Sequence, residues 1–317
     1  MPVSVSIVRD PRFRAHRPGP HHPETPLRLA SVDQAIDRAL EEQEFVCEEI
    51  EPASASLDDL ERVHDPAYVR RVLSTEGRPH VFDPDTITSE GSIEAARLAA
   101  GSTIELARRV ADGRSPPGLA LVRPPGHHAT RDRAMGFCLF NNIAVAARHL
   151  IDTGRAERIA IYDWDIHHGN GTQDIFFEDD RVLYMSTHQA APFYPGTGAA
   201  HETGRGRGAG TTVNVPLPAG TDDDTLLAVT RTVLSSKVRS FRPDMILISA
   251  GFDAYTDDPI GQFRISVEGF GTLASMWRDL AESIANGRIA AVLEGGYHLG
   301  GLGQCVRQML KSWAGLA

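Results

Sequence analysis

Short runs of aliphatic and β-branched residues recur along the whole chain, and longer stretches with helical periodicity separate them. The runs are Ser4–Val8, Phe45–Ile50, Leu119–Val122, Arg158–Tyr162, Val182–Thr187, Thr212–Val215, Met245–Ser249 and Ala290–Leu293. Several are nearly continuous in apolar residues, the mark of parallel strands covered on both faces. Helical patterns occupy Leu27–Glu42, Ser92–Asp112, Asn142–Thr153, Asp223–Ser240, Val267–Asn286 and Leu299–Trp313. This alternation predicts an α/β fold, a three-layer αβα sandwich with a mostly parallel central sheet. No repeat, low-complexity tract or long linker interrupts it, so residues 1–317 are expected to form a single domain.

Charge and composition narrow the partners. A formal net charge of −10 works against nonspecific duplex binding, which draws on many Lys and Arg contacts to phosphate, and suits a cationic substrate better. Lys237 and Lys311 are the only lysines, an imbalance read as genome composition rather than chemistry. No apolar run approaches the ~20 residues of a membrane span. The N-terminal MPVSVSIVRD carries neither a basic n-region nor a cleavage site, so no secretion signal is read there. Cys47, Cys138 and Cys305 lack the spacing of a disulfide framework or a cysteine zinc module. The expectation is a protein of the reducing cytoplasm with no membrane or nucleic-acid partner.

Ligands of parallel sheets bind outside the carboxyl ends of the strands, so the loop leaving each run matters most. RPPGHHAT comes after Leu119–Val122, and DWDIHHGNG after Arg158–Tyr162. HQAAPFYPGTG, AGFDAYTDDPIG and EGGYHLGG come after three further runs. Five loops at one predicted sheet edge thus carry clustered His, Asp, Tyr and Gly, which points to an active site. The glycine run GRGRGAG at 204–210 does not fit a dinucleotide fingerprint and is read as a flexible loop near the site mouth.

In DWDIHH, Asp163, Asp165 and His167 share parity, so an extended backbone sends them to one side. Asp253, in SAGFDA, emerges from another strand end. Two Asp and one His with an open position form the ligand set of a catalytic zinc site, and the oxygen-rich set also tolerates Fe²⁺. Either His127 or His128 can act as a general base if a neighbour sets its tautomer, with Asp163 and Asn170 as candidate neighbours. Tyr297, after Gly295 and Gly296, offers a phenol to a developing oxyanion. Phe137, Phe193 and Tyr194 stand in glycine-containing loops and suit a narrow channel for an aliphatic amine stem, though Phe193 reads equally as loop packing. His21 and His22, in a Pro-rich loop, read as structural. The signatures of serine hydrolases, P-loop NTPases and HExxH zincins are missing.

Together, RPPGHHA, GFCLFNNIAVAA, YDWDIHHGNGTQ, FYPGTG, SAGFDAYTDDPIG and LEGGYHLGGL resemble the histone deacetylase superfamily. The resemblance is nearest to its class II branch and to the bacterial histone deacetylase-like and acetylpolyamine amidohydrolases, and runs from about His22 to Gly301. It implies an arginase-like α/β fold and zinc-dependent hydrolysis of N-acetylated amines. By motif, it implies zinc ligands at Asp165, His167 and Asp253, and a catalytic His128–Asn170 pair beside an electrostatic His127–Asp163 pair. Tyr297 falls at the carbonyl-polarising position, and Gly136, Phe137, Tyr194 and Ile260 fall on the substrate channel. A structural monovalent cation, usually potassium, is implied around Asp163, Asp165, His167 and Ser186. Arg28 resembles an arginine lining the acetate exit pocket of some members.

Ile260 stands where some polyamine-selective relatives carry an acidic residue, which tilts the expected substrate toward acetyl-lysine in a peptide or small molecule. An acetylpolyamine amidohydrolase is the near alternative. A binding-only module would lack a ligand or Tyr297, and a two-metal ureohydrolase would need more carboxylates. A homo-oligomer is compatible with mouth loops that a second subunit can cover.

Overall fold

A computed structural model of the protein describes residues 4–315. In chain order the elements are β1 (Ser4–Val8), α1 (Leu27–Glu41), β2 (Val46–Glu49), α2 (Leu57–Glu61), α3 (Pro66–Leu73), β3 (His80–Asp83), β4 (Thr86–Thr88), α4 (Ser92–Ala111) and β5 (Gly118–Ala120). Next come α5 (Asn142–Asp152), β6 (Ile159–Asp163), α6 (Asn170–Phe176), β7 (Val182–Gln189), β8 (Thr212–Leu217), α7 (Asp223–Val229) and α8 (Ser235–Phe241). The chain closes with β9 (Met245–Ala250), α9 (Val267–Ile284), β10 (Ile289–Leu293) and α10 (Leu299–Trp313).

Eight strands form one sheet in the order β2-β1-β5-β10-β9-β6-β7-β8, and every pairing within it is parallel. The sheet is thus more uniform than the mostly parallel one expected; among the described strands, antiparallel pairing is confined to the β3–β4 hairpin. Parallel neighbours need crossovers, and the crossovers supply the helices that cover both faces. α1, α10 and α9 pack side by side in one layer, while α4 and α5 pack together and contact β1, β5, β10 and β9. Every residue of β6, β7, β9 and β10 is buried, which explains why these runs read as continuously apolar. Trp277 of α9 stacks on Tyr162 of β6 with ring centroids 4.5 Å apart.

Helix starts follow side-chain chemistry. Asn141 accepts from the Ala144 N–H at 3.1 Å, and Ser266 accepts from the Gly269 N–H at 2.9 Å. The expected helix over 223–240 divides into α7, a π-helical turn at Thr230–Leu234, and α8. There the hydroxyls of Thr230, Thr232 and Ser235 donate to the carbonyls of Leu226, Ala228 and Thr230, competing with the helical ladder. The GRGRGAG segment lies away from the site mouth, correcting the sequence expectation. It immediately precedes β8, on the amino-terminal side of the sheet, where Arg205 pairs with Glu178 and Arg207 with Asp180.

Candidate active site

The central strands β5, β10, β9 and β6 end side by side, so the loops leaving them meet over one point of the sheet edge. At that point a cavity of about 200 Å³ is lined by Asp85, His128, Gly136, Phe137, His167, Tyr194, Ile260 and Tyr297. At its floor the donor atoms of Asp165, His167 and Asp253 lie within 4.8 Å of one another, all three residues buried. His167 Nδ1 is 2.9 Å from Asp165 Oδ1 and 3.1 Å from Asp253 Oδ2. The carboxylates are aimed by backbone: Gly295 N–H donates to Asp165 Oδ2 at 2.9 Å, and Ile166 N–H donates to Asp253 Oδ1 at 2.9 Å. Gly251 and Gly295 admit this approach, since a Cβ at either would fall about 2 Å from an Asp165 or Asp253 oxygen.

The electrostatics of this trio fit a divalent cation. Burial pushes the Asp253 carboxyl up to about 7, and the neighbouring Asp165 adds to the rise. Burial opposes charge on His167 as well, yet Asp253 and Asp165 outweigh it and raise the imidazole to about 10. Two buried carboxylates and one imidazole converging on a point demand positive charge there, and their N and O donors suit zinc or iron.

Beside the trio stand two adjacent imidazoles with different partners. His127 Nδ1 donates to Asp163 Oδ2 at 2.9 Å, and His128 Nδ1 donates to the neutral Asn170 Oδ1 at 2.7 Å. Burial works against charge on both. For His127 the carboxylates of Asp163, Asp165 and Glu294 prevail and hold its pKa well above the usual imidazole range. For His128 the neighbouring His127 and His167 reinforce burial and hold it well below. His128 is therefore held neutral, with Nε2 free of protein hydrogen bonds among the described residues. Glu294 fixes the loop that carries the pair, accepting from the Gly126 and His127 N–H groups at 2.7 and 3.1 Å.

The cavity wall is aromatic. Tyr194 stands edge-on to His128 at 5.2 Å, and Phe137 edge-on to Tyr297 at 6.0 Å. Phe193, open between two readings in sequence, stacks flat on His167 at 4.9 Å. Burial raises the Tyr297 phenol well above its ordinary pKa against the opposing effect of Arg28, so it stays a hydrogen-bond donor. Arg28 is fully buried, its guanidinium 5.0 Å from the Tyr297 ring centre. Its Nη1 donates to Glu24, which also pairs with Arg123 and His16.

One residue at the mouth escapes sequence reading. Asp85 sits in the β3–β4 turn and reaches the cavity, its carboxyl raised to about 6 by burial and by Asp83. His22 donates to the Asp85 carbonyl at 2.9 Å and packs edge-on against Phe137 at 4.6 Å, a structural role as expected for that loop. Asp163 and Ser186 are direct neighbours across β6 and β7. His188 Nε2 bonds the Gly198 carbonyl, which makes Nδ1 an acceptor for the Ser186 hydroxyl and leaves lone pairs on that oxygen. No helix among the described residues is long and apolar enough to cross a membrane.

Known proteins carry the same framework. The histone deacetylase domain model matches residues 22–313. A probable deacetylase of Archaeoglobus fulgidus is 42% identical over 94% of this chain and 82% of its own length. Histone deacetylase 10, chloroplastic, of Oryza sativa subsp. japonica is 38% identical over 93% of this chain and 70% of its own. The crystal structure of the HDA15 HD domain superposes with a TM-score of 0.94 at 38% identity, covering 99% of this chain and 90% of that one. A match across almost the whole chain, in both sequence and fold, makes it a hydrolase of amides. The chain belongs to the histone deacetylase family.

Proposed function

We propose that the protein is a zinc-dependent deacetylase that removes acetyl groups from lysine side chains of peptides or small molecules and releases acetate. The observation that carries this reading is the meeting, in one cavity, of a neutral His128, the protonated Tyr297 phenol and His167 of the donor trio. Asp165, His167 and Asp253 would hold the metal, and bound zinc supplies Lewis acidity toward the acetyl carbonyl and a water. His128 Nε2 takes the proton of that water as it attacks, with Asn170 fixing the Nδ1–H tautomer. The Tyr297 hydroxyl donates to the carbonyl oxygen as negative charge grows on it. His127, held protonated by Asp163, contributes positive charge without leaving its place. The proton held at His128 then passes to the departing amine.

Phe137 and Tyr194 form sides of a channel that accepts a methylene stem, and Ile260 adds an apolar patch. A potassium ion beside Asp163 is supported by the unspent lone pairs of Ser186 and by the buried Tyr184 hydroxyl, which has no hydrogen-bond partner among the described residues. One observation favours acetylpolyamines as the alternative substrate: Asp85 gives the mouth a carboxylate that can hold a second ammonium.

The test is acetate release by the zinc-loaded protein from an acetyl-lysine peptide, acetylated spermidine and acetylated putrescine, with His128→Ala as control. Release from the peptide, abolished in the variant, supports the lysine reading. Preference for the polyamines, lost in Asp85→Asn, replaces it with the alternative, and silence on all three overturns both.

A further inference from the structure

Tyr297 follows two glycines, the residue type least able to hold a fixed direction, and Gly296 lies at φ +120°. Local stiffness therefore does not aim this phenol. The peptide group joining Gly296 to Tyr297 is instead gripped from both sides. Its carbonyl accepts from Arg28 Nε at 2.7 Å, and its N–H donates to Asp258 Oδ2 at 2.7 Å. A flip of that peptide would exchange the two directions and break both bonds.

Asp258 does more than hold one end of this peptide. Oδ2 also accepts from the His298 N–H at 3.1 Å, while Oδ1 accepts from the Ile260 N–H at 3.0 Å and the Gly261 N–H at 3.4 Å. Asp258 is 7% exposed, and the hydrogen bonds to its carboxylate among the described residues all come from backbone N–H groups of two loops. One loop carries Ile260 into the channel wall, and the other carries Tyr297. Gly261 in turn packs on the backbone of the donor Asp253, where a Cβ would fall 2.0 Å from the Asp253 carbonyl oxygen.

We propose that Asp258 is a positioning residue: it fixes the plane of the Gly296–Tyr297 peptide, and thereby the aim of the phenol, and locks the Ile260 wall to it. A substrate stem seated against Ile260 then meets a hydroxyl already directed at its carbonyl. The inference rests on the deacetylase reading, in which Tyr297 donates to that carbonyl.

Asp258→Asn keeps the shape but turns one acceptor into a donor, so only one of the two loops stays bonded. The expected result is a kcat lowered about 10-fold or more with KM within about 3-fold, the pattern of an interaction lost in the transition state. In a Tyr297→Phe background the same change should cost less than about 2-fold, because the group it positions is gone. Losses that multiply in the double variant, or a kcat within about 2-fold of the parent, overturn the proposal.

A second readout does not need turnover. The six tyrosines are labelled as 3-fluorotyrosine, and the Tyr297 ¹⁹F resonance is identified by its absence in Tyr297→Phe. Asp258→Asn should shift or broaden that resonance and spare those far from the two loops; an unchanged Tyr297 signal overturns the proposal. Should Asp258→Asn fail to fold, Asp258→Glu displaces the carboxylate by one methylene and is read the same way. If the parent protein releases no acetate, the deacetylase reading falls while the ¹⁹F comparison still decides whether Asp258 aims Tyr297.

Discussion

The rings of His127 and His128 lie 4.0 Å apart, yet only His127 has a carboxylate behind it. His128 leans on the neutral amide of Asn170, and that difference goes with a charged ring at His127 and a neutral one at His128. Replacing Asn170 with Asp would stabilise protonated His128 and raise its pKa from its depressed position. Since the base must be neutral, the acid limb of the kcat/KM profile should move to higher pH. A limb that stays in place would remove His128 from the role of base.

Tyr297→Phe removes only the phenolic oxygen. It should lower kcat by roughly 10²–10³ while metal content stays equal to the parent, as for loss of one oxyanion donor. Acetate release and metal analysis on the same preparation check this. Retained turnover would leave Tyr297 as a wall residue.

Gly136 sits at φ +56°, and a Cβ there would lie 2.4 Å from His128 Cδ2. Gly136→Ala should therefore both strain the backbone and push the base aside, costing at least about 10-fold in kcat/KM. Gly154, at φ +71° with open space around its Cβ position, provides the control. Gly154→Ala should carry the strain and leave activity intact; equal losses in both would mean that strain alone is responsible.

The central strands were legible because burial on both faces makes a parallel strand a continuous apolar run, as in Ile159–Asp163 and Ile289–Leu293. The strand ends then located the site, since His127, Asp165, Asp253 and Tyr297 all leave central strands. The β3–β4 hairpin gave no such signal: His80–Asp83 and Thr86–Thr88 are short, and two of their seven residues are fully buried. Asp85 was lost with it, because its place at the mouth is a tertiary fact that no local pattern around residue 85 encodes. A turn-forming DPDT at 83–86 was the available clue. The helix starting at Asn170 was hidden in a motif read as loop, and the short α2 and α3 fell below the length at which periodicity speaks.

His64 couples this part of the chain to pH. Its Nδ1 bonds the Thr130 carbonyl and its Nε2 accepts the Asn141 N–H, both at 2.9 Å, which requires the neutral ring. Burial lowers its pKa from 6.5 to about 4. Above 6.5 its contribution to stability is complete; as pH falls toward 4 the unfolded chain takes up the proton and the folded chain does not. Stability is therefore lost on acidification, by about 3 kcal/mol in total. Denaturant midpoints should show the gap between the parent and His64→Gln shrinking by about 2 kcal/mol or more from pH 7 to pH 4.5. A constant gap would show that His64 is not the group being titrated.

β10, residues 289–293, is the last strand among the described residues and lies between β5 and β9. Without it the sheet is two separate pieces, β2-β1-β5 and β9-β6-β7-β8, with His127 and His128 following one and Asp165, His167 and Asp253 following the other. During synthesis, then, neither half can be joined to its complement until the chain has emerged through residue 293. Long-range parallel pairing of this kind is slow and leaves unpaired strand edges exposed in the interval. The keystone arrives after the seven strands it joins, so the segment that completes the sheet also delivers Tyr297, and a nascent chain lacking it has no assembled site.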